Sequence, residues 1–108
     1  MDELVFGPNN ENNNSKIVIR FDVDGTLIDY DGNKKPEIIT LLQSFQALGC
    51  DVGIWSGAGI TYAKKIATLL DLKVPVFEKK ASNVDICFDD YVVNLAKINI
   101  KIPSEEVE

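Results

Sequence analysis

Two aspartates, Asp22 and Asp24, end the apolar, β-branched run Ile17-Val18-Ile19-Arg20-Phe21 and are followed at once by Gly25-Thr26-Leu27. Such a run fits a strand buried on both faces, and Gly25 lets the chain turn sharply where the strand stops. Carboxylates at the carboxyl end of a buried strand lie in the crevice where open α/β sheets bind ligands. There they can ligate a hard cation, move protons or attack an electrophile. Two other readings compete, an ordinary Asp-Gly turn and a calcium loop, which also begins Asp-x-Asp. The calcium pattern needs a third acidic or amide ligand and then Gly at its sixth position. Here Gly is fourth and an apolar strand precedes, which disfavours calcium.

Three further groups have chemistry to offer. Ser56-Gly57-Ala58-Gly59 follows a second apolar run and precedes a helical pattern. A strand, a small-residue loop and a helix together make an anion site, because free backbone N–H groups and the helix dipole point at the loop. The Ser56 hydroxyl and Gly57 N–H would then meet a phosphate oxygen. Asp89 and Asp90 end a later apolar run, and Lys79-Lys80 precedes that run. A lysine pair in a loop is ordinarily a solvated one. The chain has no histidine, so acid–base or nucleophilic work falls to carboxylate, hydroxyl, thiol or amine groups.

The elements that must position these residues alternate. The first strand leads through Ile28 to Lys35, where Asp31-Gly32-Asn33 signals a turn in a small hairpin and Asp29 and Asp31 read as solvated turn residues. Pro36 suits the first position of a helix, whose stripe Ile38, Leu41, Leu42, Phe45 and Leu48 ends at Gly49. Cys50 to Trp55 reads as the second strand, and Ile60 to Leu70 as a second helix with Ile60, Ala63, Ile66, Ala67 and Leu70 inward. Val74 to Phe77 is a third, short strand with Pro75 at its start, and Val84 to Phe88 a fourth. A short helix over Tyr91 to Ala96 leads to the alternating segment Ile98 to Ile102, a half-exposed edge strand that can pair with a second subunit. Strands alternating with helices imply a three-layer α/β/α, Rossmann-like parallel sheet with helices on both faces. Asp22, Asp24, Ser56, Lys80, Asp89 and Asp90 then gather on one edge.

A chain of 108 residues makes one domain with a single core. The expected organisation is a flexible N-terminal segment over 1–15, an α/β domain over 16–103 and an acidic tail over 104–108. Residues 1–15 are asparagine-rich, apart from an apolar patch at Leu4 to Phe6 that would suit an edge strand. A formal net charge of −6 argues against nucleic acid as a partner. No apolar run approaches the length of a membrane span, and no signal segment opens the chain. Cys50 and Cys87 read as small buried residues of a reducing compartment, so a cytoplasmic location is expected.

The chain resembles the haloacid dehalogenase superfamily of phosphatases and phosphotransferases over about residues 16 to 96. Asp22-Val23-Asp24-Gly25-Thr26-Leu27 looks like its first motif and Ile54-Trp55-Ser56-Gly57 like its second. Lys80 is similar in placement to the third-motif lysine, and Val84 to Asp90 resembles the fourth motif, a strand ending in paired acids. Either Lys79 or Lys80 could be that lysine; the distance to the fourth strand, compared with small family members, favours Lys80.

The resemblance implies a Mg²⁺-dependent phosphohydrolase acting on a phosphate monoester. Asp22 would be the nucleophile that becomes an aspartyl-phosphate, and Asp24 the acid and then the base. Mg²⁺ would sit on Asp22, the Asp24 backbone carbonyl and Asp89, with Asp90 ligating through water or orienting the lysine. Ser56, Gly57 and Lys80 would hold phosphate oxygens. Asp85, at the far end of its strand, is expected to be structural. Family members usually carry a cap domain, for which this chain has no room, so an open, capless site is expected. Two rivals stand beside this reading. A phosphoacceptor signalling domain would place adjacent acids after its first strand and a lone Asp after its third, the reverse of the order here. The other is a non-catalytic relative that keeps the fold as a binding module.

Overall fold

The computed structural model describes residues 16–104, so the expectations for Leu4 to Phe6 and for the rest of 1–15 lie outside the described residues. The element order is β1 (Val18–Asp22), α1 (Pro36–Ala47), β2 (Asp51–Ser56), α2 (Ile60–Leu69), β3 (Val76–Glu78), β4 (Ile86–Asp89) and β5 (Ile98–Lys101). The five strands form one sheet in the order β3-β2-β1-β4-β5, and every pairing is parallel. The chain steps outward from β1 to β3 and then returns to place β4 on the other side of β1. The topological switch point therefore lies between β1 and β4, and it is at the carboxyl ends of such strands that α/β sheets bind ligands.

β1 is central because neither of its faces needs water. Ile19 and Phe21 face one side and are fully buried; Phe21 stacks on Phe88 of β4, with ring centroids 4.5 Å apart. On this side lie Leu42 of α1 and Ala63, Ile66 and Ala67 of α2, in one cluster with Val52 and Ile54 of β2. Both helices thus cover the same face, as two right-handed crossovers made in the same direction require.

The α/β fold class is as expected, with a difference in the opposite layer. Trp55, Val84 and Cys87 are covered there by Val93, Leu95 and Ala96, which belong to an irregular segment and not to the expected helix over Tyr91 to Ala96. The Asn99 side chain accounts for this. Its Oδ1 accepts the Leu95 and Ala96 N–H groups at 2.9 and 3.0 Å, and its Nδ2 donates to the Ala96 carbonyl at 2.8 Å. Backbone groups that a helix would have paired are satisfied locally instead. Two residues also leave their expected stripes. Leu48, past the end of α1, is 78% exposed, and Ile60, at the start of α2, is also exposed. A stripe extrapolated to the last or first turn overruns the sheet it packs on.

The expected hairpin after β1 is reduced to isolated bridges, Asp24 with Ile28 and Ile28 with Lys34. Asp29 closes its turn by accepting the N–H groups of Asp31 and Asn33, each at 2.9 Å. The resulting flap is the one insertion between β1 and α1, and no cap domain interrupts the described residues. No helix among them is long and apolar enough to cross a membrane. Cys50 and Cys87 are free thiols, Cys87 buried and Cys50 partly so. Asp85 is structural: it accepts the Val18 N–H at 2.8 Å and pairs with Lys97, at the end of the sheet away from the switch point.

Candidate active site

The sheet register brings the chemical residues together. Asp22 pairs with Trp55, which puts Ser56 one step beyond it, and Phe21 pairs with Phe88, which puts Asp22 beside Asp89. Asp22, Asp24, Tyr30, Ser56, Gly57, Ala58, Lys79, Asp90 and Tyr91 line a cleft of about 250 Å³ over these strand ends.

Asp22, Asp89 and Asp90 are buried, and one carboxylate oxygen from each lies within 4.8 Å of the others. Lys79 Nζ reaches Asp22 Oδ1 at 3.0 Å and Asp89 Oδ2 at 2.7 Å. Burial, and next the charge of Asp89, push the Asp22 carboxyl up to about 7 despite that lysine. Three buried carboxylates facing one ammonium are short of positive charge, and hard oxygen donors of this kind suit Mg²⁺. The residues present therefore fit the cation that the family resemblance implies. Asp22 and Asp89, with Asp90 beside them, would hold it.

The preference for Lys80 is corrected here. Lys80 pairs with Glu78 at 3.5 Å, and its side chain is 66% exposed, against 18% for Lys79. β3 ends at Glu78, whose register partner is Ser56, so the next residue stands at the site and the one after it turns to solvent. Counting back from β4 missed this, whereas counting on from the end of β3 finds it. Ser56 is buried and its Oγ accepts the Ala58 N–H at 3.0 Å, leaving its own O–H as a donor. Gly57 is exposed on the rim.

Three side chains at the site carried no expected role. Thr26 Oγ1, fully buried, lies 3.4 Å from Asp22 Oδ2 and donates to it. The Tyr30 hydroxyl, from the flap, donates to Asp90 Oδ2. The Tyr62 hydroxyl, from α2, donates to Asp24 Oδ1 at 2.6 Å; burial, together with that bond, pushes its phenol up to about 12. No motif marks the two tyrosines, because each arrives from an element whose tilt the sequence does not encode locally.

Gly25 is required by its surroundings. Its φ is +82°, and a Cβ there would stand 2.1 Å from Asp90 Oδ2. Lys35 Nζ holds the same turn, donating to the Gly25 and Pro103 carbonyls at 2.7 Å each. Gly25→Ala is expected to cost roughly 1–3 kcal/mol of stability through backbone strain and displacement of Asp90. Thermal or urea unfolding of the variant checks this.

A family model described as haloacid dehalogenase-like hydrolase matches residues 19–97. No curated protein sequence and no solved structure gives a significant match to the chain.

Proposed function

Because the chain belongs to the haloacid dehalogenase-like hydrolases, we propose that it hydrolyses phosphate monoesters with Mg²⁺, through an aspartyl-phosphate on Asp22. The observation that carries the reading is the convergence of Asp22, Asp89, Asp90 and Lys79 on one cleft beside the Ser56 loop. Asp22 Oδ attacks phosphorus as the bond to the leaving oxygen breaks, and Asp24 gives that oxygen a proton. Asp24, now a carboxylate, takes a proton from water as the water oxygen bonds to phosphorus and the Asp22–phosphorus bond breaks. The Ser56 O–H, the Gly57 N–H and Lys79 hold the equatorial oxygens, where charge accumulates. Bound Mg²⁺ supplies the positive charge that keeps Asp22 ionised and lets the ester approach this acidic cleft. The order of the acids, Asp-x-Asp first and the adjacent pair late, together with the family match, supports this reading over a phosphoacceptor domain. A cleft that no cap domain covers among the described residues favours large esters, or small ones with little discrimination among them.

The raised Asp22 carboxyl sets a pH dependence. Between the ordinary aspartate value near 3.8 and about 7, folded metal-free protein holds a proton that the unfolded chain has released. Stability from this group is therefore greatest at the acid end of that window and falls as pH rises through it. Mg²⁺ must displace the proton, so its affinity rises with pH and levels off above about 7. The expected result is a Tm increase on adding Mg²⁺ that is small near about pH 5.5 and larger near about pH 8. An equal increase at both would contradict the assignment of Asp22 as a ligand. EDTA should abolish turnover of p-nitrophenyl phosphate, and excess Mg²⁺ should restore it.

A further inference from the structure

Asp24 lies on the turn after β1, partly exposed, where a carboxyl group ordinarily turns freely about its side-chain bonds. Here it does not. Tyr62, in the first turn of α2, has its ring packed against the core cluster and its hydroxyl 2.6 Å from Asp24 Oδ1. That hydrogen bond ties the carboxylate to the helix. The ring is anchored by apolar packing, so the hydroxyl is a fixed point and the carboxylate is the partner that must conform.

We propose that Tyr62 is a positioning residue for proton transfer by Asp24, holding Oδ1 so that Oδ2 carries the proton. The proposal rests on the phosphoryl-transfer reading above. In the first half-reaction the proton leaves Oδ2 for the leaving oxygen as the phosphorus–oxygen bond breaks. In the second, Oδ2 takes a proton from the attacking water. A donor on Oδ1 serves both directions, because it fixes the carboxyl plane whichever state Oδ2 is in.

The test is Tyr62→Phe, which keeps the packed ring and removes only the hydroxyl. kcat/KM is measured for wild type and variant on p-nitrophenyl phosphate, phenyl phosphate and an unactivated alkyl phosphate. p-Nitrophenolate leaves without help, so its rate should fall no more than about threefold, whereas the phenyl and alkyl esters should lose about 30- to 100-fold, within the range expected of general acid catalysis. The dependence of rate on leaving-group pKa becomes steeper. A merely structural role would lower all three rates by the same factor, and that outcome, or an unchanged slope, overturns the proposal. A crystal structure of Tyr62→Phe should show Asp24 in more than one rotamer; a single unchanged rotamer also overturns it. Wild-type protein that hydrolyses none of the esters overturns the phosphatase reading and this proposal together. Active wild type with an unchanged slope in the variant overturns this proposal alone.

Discussion

Asp22→Asn is expected to lower kcat on p-nitrophenyl phosphate by on the order of 10⁴-fold or more, the scale seen when a nucleophile is removed from a working site. Asparagine is nearly isosteric with aspartate, so the strand end should keep its shape. What goes is the attacking oxygen charge and one of three carboxylates crowded at the switch point. Because burial and Asp89 push the Asp22 carboxyl up to about 7, an ionised Asp22 strains the metal-free protein at higher pH. The variant should therefore melt no lower than wild type near about pH 8 in EDTA, while gaining less from Mg²⁺. A residue that costs stability and is needed for turnover has the signature of a functional group. Loss of activity with loss of the fold would instead mean that Asp22 is structural.

Lys79→Met and Lys80→Met should separate cleanly. Lys79 Nζ bridges Asp22 and Asp89 at 3.0 and 2.7 Å and is held in its charged form, its pKa raised by those two carboxylates against the opposing effect of burial. Removing it leaves two buried carboxylates facing each other without a cation and the transferring oxygens without a donor. A loss of roughly 10²- to 10³-fold in kcat is expected, comparable to removing one oxyanion donor. Lys80→Met removes only an exposed pair with Glu78, a contact worth little, so activity should stay within about twofold of wild type. Steady-state kinetics of both variants at saturating Mg²⁺ decides the matter. The reverse pattern would restore the lysine that the spacing to β4 suggested.

Those two lysines show where the sequence could be read and where it could not. The acids were legible because each sits at the end of an apolar run, and the end of a buried parallel strand has one place to go. Ser56 was legible for the same reason, helped by the small residues after it. The parallel sheet followed from the alternation of strands with helices and from the handedness of crossovers, whereas the strand order, with β4 returning to the far side of β1, has no local signal in the sequence. Lys80 was preferred over Lys79 because Val76–Glu78 is a three-residue edge strand whose limits no periodicity defines. The layer over Trp55 and Cys87 was expected to be helical, and it is irregular because one side chain, Asn99, satisfies the backbone of Leu95 and Ala96. Tyr62 and Tyr30 were invisible as site residues: their hydroxyls reach Asp24 and Asp90 across 38 and 60 residues of sequence.

The central claim, that Asp22 carries the phosphoryl group, is tested most directly by trapping it. Asp24→Asn retains the nucleophile and loses the base that hydrolyses the intermediate, so the covalent form should accumulate with p-nitrophenyl phosphate, whose leaving group needs no acid. The variant is mixed with ester and Mg²⁺, quenched in acid and digested at low pH for mass spectrometry. A phosphoryl adduct on the peptide containing Asp22, formed in step with a burst of p-nitrophenol and absent from the Asp22→Asn, Asp24→Asn double variant, is the predicted result. A burst with no adduct on that peptide, or with the adduct on another residue, would contradict the account.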